Sequence, residues 1–289
     1  MERRDFGRGH LVAGGTPRMT LGRALASEAM RLRRSPLVPL HAALGATLGL
    51  ACGAYFGVTA WDPHLSTDAF FQLLGAGAPL LVGVSCGLSV DVEREAGEYA
   101  HLLGVPSRRL ALAARTLALL ALGVLAAALA GACFLGVMVA LGKPVMPVPS
   151  AAAVLGMGVG SASLYVICLA CALRFGRNAS IALGALGLMV ALASLGGLAN
   201  GLVTGTLSGT FGLSAATFIP LAWPARLASL AIEFEIAGAH SVPGAETALP
   251  ELARGATLLL TTCMVVTAVL SAAALALVNR FEDARRAGE

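Results

Sequence analysis

The chain is poor in charge and in aromatic side chains: 12% of its 289 residues are Asp, Glu, Lys or Arg, and 5% are Phe, Trp or Tyr. Globular domains in water carry roughly 25% charged residues, so this composition excludes an ordinary soluble fold. Lys143 is the one lysine among 20 basic residues, a bias toward arginine that, with the abundant Ala and Gly, points to a GC-rich bacterial genome. No loop of the form G-x-x-x-x-G-K-[ST] is present, because the only Gly-Lys pair, Gly142-Lys143, is followed by proline. The chain therefore carries no phosphate-cradling site for hydrolysing ATP itself. No internal repeat supports an inverted-repeat transporter. Met1–Arg18 holds no apolar stretch ahead of a small-residue cleavage site, so no cleaved signal peptide is expected. No basic patch interleaved with aromatics suggests a nucleic-acid partner. All six cysteines (Cys52, Cys86, Cys133, Cys168, Cys171 and Cys263) lie in apolar runs. Cys168 and Cys171 spell C-x-x-C, but a metal or redox site needs polar access and further ligands, so they read as packing residues.

What is present is apolar length. Hydrophobic residues make up 57% of the chain and its mean hydropathy is +0.81. A bilayer crossing takes about 20 apolar residues. Six runs qualify: 37–60, 70–90, 110–141, 151–173, 181–202 and 256–278. They are continuous rather than alternating, which predicts helices over barrel strands. The expected fold class is an all-α polytopic membrane protein of six spans. Basic residues set its orientation. Sixteen of the 20 fall before the first run, after the second and fourth, or at the end, against Lys143, Arg226 and Arg254 on the opposite side. Both termini are accordingly expected in the cytoplasm, across the bacterial cell membrane.

Between the spans the chain divides as follows. Residues 1–20 and 281–289 read as cytoplasmic tails. Residues 21–36 predict an amphipathic interfacial helix. Leu21, Leu25, Ala29 and Leu32 share its apolar face, Arg23, Ser27, Arg31 and Arg34 the opposite one, and Ser35-Pro36 ends it. Arg31, Arg33 and Arg34 are the candidate site residues of this entry helix; a simple positive flank for the first span is the competing reading. Trp61–Ala69 predicts a short outer loop bearing Asp62 and Asp68. Residues 203–255 predict an outer cap that folds back without crossing, broken at Pro220. After Trp223-Pro224 it continues as a short helix with Leu227, Leu230 and Phe234 on its apolar face and Glu233 and Glu235 toward water.

The spans themselves contain no Asp, Glu or Lys, only Arg115 and His41 near their edges, so ion coupling finds no support there. Gly83-Val84-Ser85-Cys86-Gly87 matches the G-x-S-x-G nucleophile pattern. That motif needs a strand-turn-helix elbow, which a membrane helix does not supply. An intramembrane serine hydrolase would need His41 as its base. Close helix approach through small residues explains Gly83, Ser85 and Gly87 more simply.

The chemistry-bearing feature is the polar island 91–109, DVEREAGEYAHLLGVPSRR. Glu93, Glu95 and Glu98 continue the second span as a helical turn, Gly104-Val105-Pro106-Ser107 breaks the chain, and Arg108-Arg109 begin the third span. A solvated loop is the alternative, against which Tyr99, Leu102, Leu103 and Val105 count as apolar side chains awaiting a surface.

Those residues resemble the first cytoplasmic loop of ABC-2 type permeases, and in particular the lantibiotic-protection (bacteriocin self-immunity) subunits with E-R-E-x-G-E followed by L-L-x-x-P-x-S-R. Leu32-Arg33-Arg34-Ser35-Pro36, the six-span plan and Ile219-Pro220-Leu221-Ala222-Trp223-Pro224 add to the likeness, which covers roughly Leu21 to Arg280. The resemblance implies a transport subunit rather than an enzyme, with no cofactor of its own. ATP and Mg would be used by separate ABC ATPase subunits. It makes Glu93, Arg94, Glu95, Gly97, Glu98, Pro106 and Arg108 coupling-loop positions. It implies a second permease subunit, identical or similar, and a cationic amphipathic peptide expelled from the bilayer. Another antibiotic or a lipid as substrate, a membrane hydrolase, and a membrane anchor protein are the alternatives.

Overall fold

A computed structural model describes residues 19–97, 99, 104–195, 202, 204–207, 218–239 and 245–278. Helices dominate these residues and no strand occurs among them. We label them α1 (Leu21–Leu32), α2 (Leu37–Val58), α3 (Pro63–Gly97), α4 (Arg108–Ala140), α5 (Pro147–Phe175), α6 (Arg177–Leu195), α7 (Trp223–Gly238) and α8 (Ala245–Leu277). Among the described residues all but α1 and α7, six helices, are long and apolar enough to cross a membrane, the architecture of a multi-pass membrane protein.

Local chemistry sets the helix ends. Thr20 caps α1 by accepting from Arg23 N, and Ser107 caps α4 by accepting from Leu110 N at 3.4 Å. Asp62 accepts from His64 N and Leu65 N at 2.9 and 3.0 Å. With Pro63 following it as the first helical residue, this starts α3 seven residues before the apolar run does. The expected outer loop Trp61–Ala69 is therefore corrected: most of it is helix, and Asp68 is buried there.

Consecutive spans are not each other's main partners. Helix α2 lies parallel against α4, and α3 lies antiparallel against α6. Gly45, Gly49, Gly53 and Gly57 form one stripe of α2 facing α4. A Cβ on Gly45 would stand 2.6 Å from Ala126 O, and one on Gly49 would strike Ala130 O. Close backbone approach through small residues is how helices gain packing energy in lipid, where no hydrophobic driving force separates helix from solvent. Gly83 and Gly184 serve the α3–α6 crossing in the same way: a Cβ on Gly83 would lie 2.5 Å from Ser180 O. The expectation for Gly83 and Gly87 as packing residues holds.

A cluster built on Phe56, Phe70, Phe71, Phe134 and Trp223 fills the half of the bundle near Asp62, with Phe70 and Phe134 stacked at 4.1 Å. A second cluster around Leu37, Cys86, Tyr99, Leu119 and Tyr165 fills the other half.

The region between α6 and α8 departs most from expectation. Pro220–Ala222 forms a single 3-10 turn that leads into α7 at mid-depth. There Gly75 of α3 and Gly160 of α5 leave room for the Pro224-Ala225 backbone. From that point α7 runs back toward the Asp62 end, with Ala225 against Gly75 and Ser229 against Asp68. Its faces differ from expectation: Glu233 is completely buried rather than turned to water, while Glu235 and Phe234 are outward. The helix is enclosed by α3, α5 and α8 on most sides, so a one-sided amphipathic pattern does not describe it.

Candidate functional site

Four ionic side chains from three helices meet at the end of the bundle where α1 joins α2. Glu93, in the last turns of α3, pairs with Arg115 of α4, and Arg31 of α1 stands 3.5 Å from the same Glu93 carboxylate. Glu28, one turn before Arg31, bonds it at 2.6 Å and approaches Arg115 at 3.7 Å. Two carboxylates and two guanidinium groups balance each other, which is the condition for keeping such groups out of water. Burial first, then the like charge of Arg115, push Arg31 below its ordinary value, while Glu28 and Glu93 pull it back. Arg31 stays cationic, because that ordinary value lies far above neutrality.

A second tie lies beside the first. Asp91 accepts from Arg94 at 2.8 Å and from Arg177, at the start of α6, at 2.7 Å. The polar turn that closes α3 is thus held to α1, α4 and α6 together. At its end Gly97 and Tyr99 both have positive φ, Tyr99 N donates to Glu93 O at 3.4 Å, and the Tyr99 ring is buried in the bundle's own core.

These positions divide the expected loop residues into two groups. Glu93 and Arg31 point inward and are structural partners. Arg94, Glu95, Gly97, Pro106, Arg33 and Arg34 are exposed, and Arg108 is half-buried. Glu98, Leu102 and Leu103 lie outside the described residues. Tyr99 does not await a soluble partner, since the bundle already covers it. Helix α1 also turns differently from its pattern: Ala24, Glu28 and Arg31 face α4, leaving Leu21 and Ala29 outward. Arg31 of the entry helix is thus a member of the ionic cluster. The signal available in sequence was Glu28 and Arg31 at i, i+3 on a helix otherwise lacking acid.

The opposite half contains a polar group that the sequence reading missed. Ser229 of α7 donates to Asp68 at 2.6 Å, and Gln72 donates to the other Asp68 oxygen at 2.8 Å. Arg226 and Glu233 are buried on the same helix. Of the outer-cap candidates, Trp223 and Pro224 pack at mid-depth, Pro220 lies in the turn before them, and Glu235 alone is exposed acid.

His41 and Ser85 do come together. His41 Nδ1 donates to Leu37 O at 2.8 Å, which leaves Nε2 as an acceptor 3.1 Å from Ser85 Oγ. The Ser85 hydroxyl is also 2.6 Å from Leu81 O, and its one proton serves a single acceptor at a time. Both residues are buried, and neither lines either of the two clefts described below. The pair joins α2 to α3 and offers no place for a substrate carbonyl.

Away from that tie α2 and α3 separate. Between them an almost wholly apolar cleft of about 600 Å³ opens sideways, with Leu44, Thr47 and Leu48 on one wall, Gly77 and Leu81 on the other, and Tyr165 in its floor. Among the described residues no three His, Cys, Asp or Glu side chains cluster as metal ligands. The six cysteines are all free; Cys86 and Cys263 donate weakly to Tyr165 O and Val159 O. The fold and these sites define a class, a helical membrane protein with a braced polar end and a lateral apolar cleft. No protein-family model matches the chain, and no curated protein matches it.

Proposed function

We propose that the chain is the membrane-spanning subunit of an ATP-driven exporter of the ABC-2 type, expelling a lantibiotic or similar cationic amphipathic peptide from the bilayer for self-immunity. The observation that carries this reading is the bracing of the α3 end. Glu93 with Arg115 and Arg31, and Asp91 with Arg177, connect the 91–109 segment to three other helices, so a displacement of that segment is passed on to them. Such a linkage suits a loop driven by a separate ATPase that uses ATP and Mg, with exposed Glu95 and Arg94 as contact residues. The lateral cleft between α2 and α3 suits the apolar side of a peptide arriving from lipid, since it needs no charged intramembrane pocket.

In this reading the braced end, both termini and loop 91–109 face the cytoplasm of a bacterial cell, which the basic excess at that end supports. A second permease, identical or similar, completes the transporter. Another antibiotic or a lipid as cargo would use the same machine. A hydrolase is favoured by one observation, the 3.1 Å contact of Ser85 with His41, and opposed by the burial of both. A membrane anchor accounts for neither the bracing nor the cleft.

The test is copurification. The tagged chain expressed with the ABC ATPase of its own operon should retain that ATPase in detergent. A panel of lanthionine-bridged cationic peptides should then stimulate hydrolysis. A chain that retains no ATPase, or an ATPase indifferent to every peptide, overturns the respective half of the proposal.

A further inference from the structure

A second cleft, of about 530 Å³, lies between α4, α5 and α8 at the braced end of the bundle. Its walls are Leu112 and Thr116 of α4, Leu169 of α5 and Ala274 of α8, and one cation, Arg174, stands in the lining. Arg174 is exposed, and its only described interaction is with the Phe175 ring, 5.6 Å away. From Val166 to Arg174 the α5 wall rises about 12 Å at 1.5 Å per residue. Half of a bilayer's hydrocarbon core is about 15 Å. The cleft thus runs within one leaflet, apolar at depth and cationic at its polar end. A guanidinium that meets no carboxylate among the described residues at the membrane boundary calls for an anion. Apolar walls below it call for a chain attached to that anion. Basic pockets between spanning helices bind anionic headgroups on this principle.

We infer that this cleft is a binding site for an anionic phospholipid, its phosphate on Arg174 and one acyl chain between α5 and α8. The occupant also explains why α8 can remain in place while so little of its span is buried in protein: lipid supplies the packing that neighbouring helices do not. This inference is independent of what the protein transports.

The experiment uses the full chain in nanodiscs containing phosphatidylglycerol with a photoactivatable diazirine on one acyl chain, with labelled peptides mapped by mass spectrometry. Labelling should concentrate on 112–117, 166–174 and 271–278. Ala274→Phe, placed in the cleft, should abolish it, whereas Ala272→Phe on the exposed face of the same helix should not. Arg174→Gln should remove the preference for phosphatidylglycerol over phosphatidylcholine carrying the same diazirine while leaving the fold intact, checked by an unchanged melting curve. Label spread evenly over exposed α8 positions such as Val265 and Val269, or equal labelling by the two headgroups in the unmodified protein, overturns the inference. So does an absence of label in the cleft.

Discussion

Glu93 and Arg115 form an ion pair between α3 and α4 with both side chains withdrawn from solvent, 0% and 4% exposed. Breaking such a pair from one side leaves a buried charge without its partner and costs about 3–5 kcal/mol, whereas replacing both partners is far less harmful. Arg115→Met should therefore destabilise the protein in detergent strongly. Glu93→Gln combined with Arg115→Met should recover much of the loss. Thermal unfolding of the two singles and the double decides it, and simple additivity would falsify the pairing.

The glycine stripe of α2 contrasts with Gly136, an exposed glycine of α4. Gly49→Leu must push α2 away from Ala130, and overpacking of this kind costs about 1–3 kcal/mol. Gly136→Leu on α4 should be tolerated, because a Cβ there meets nothing within 4 Å. Melting temperatures of the two variants should differ clearly, and equal values would remove the close-approach argument.

Ser85→Ala deletes the α2–α3 tie. The net worth of one hydrogen bond is about 0.5–1.5 kcal/mol, so a modest fall in stability is expected, with peptide resistance retained. Complete loss of function without loss of stability would instead support a nucleophilic role for Ser85.

Glu95 is exposed beside the braced turn, so Glu95→Lys should leave the bundle folded and inserted while weakening capture of the ATPase. Reversing a charge at an interface typically costs about 2 kcal/mol or more where the charge is desolvated. The readouts are ATPase retention and survival under peptide challenge. Wild-type behaviour in both would withdraw Glu95 from the contact surface.

Cysteine accessibility separates two neighbours on α7. In a cysteine-free background, Glu235→Cys should react with an impermeant maleimide added outside intact cells. Glu233→Cys should stay silent, because that position is fully buried. Reaction at 235 only after the cytoplasmic face is opened would reverse the topology.

Much of the bundle could be read from the chain. The six long helices follow from hydropathy, because lipid permits few other solutions. Asp62-Pro63 also announced an earlier start for α3, yet apolar length masked this capping signal. The ionic cluster was only half legible. Arg115 stood out inside an apolar run, but its partners come from residues 22 and 87 positions away in sequence, and no local pattern joins them. Glu233 was misassigned for a related reason. Periodicity distinguishes two faces of a helix, and α7 is enclosed on most sides, with Arg226 seven residues earlier and Ser229 in reach of Asp68. The i, i+4 pair Asp68 and Gln72 at the rim of an apolar run was the one local hint of that buried polar group.

The pairing of α2 with α4 and of α3 with α6 constrains the order in which the protein assembles. Neighbouring elements usually pack together as they are made, but here the first span must wait for the third and the second for the fifth. Until then α2 exposes a face of bare glycine and α3 carries Glu93 with no Arg115 to meet it. Hairpin-by-hairpin insertion during synthesis therefore yields a loose intermediate, and most of the packing forms in a late step once α6 has left the ribosome. Truncated nascent chains ending before α6 should accordingly be sensitive to membrane proteases, and those extending past it resistant.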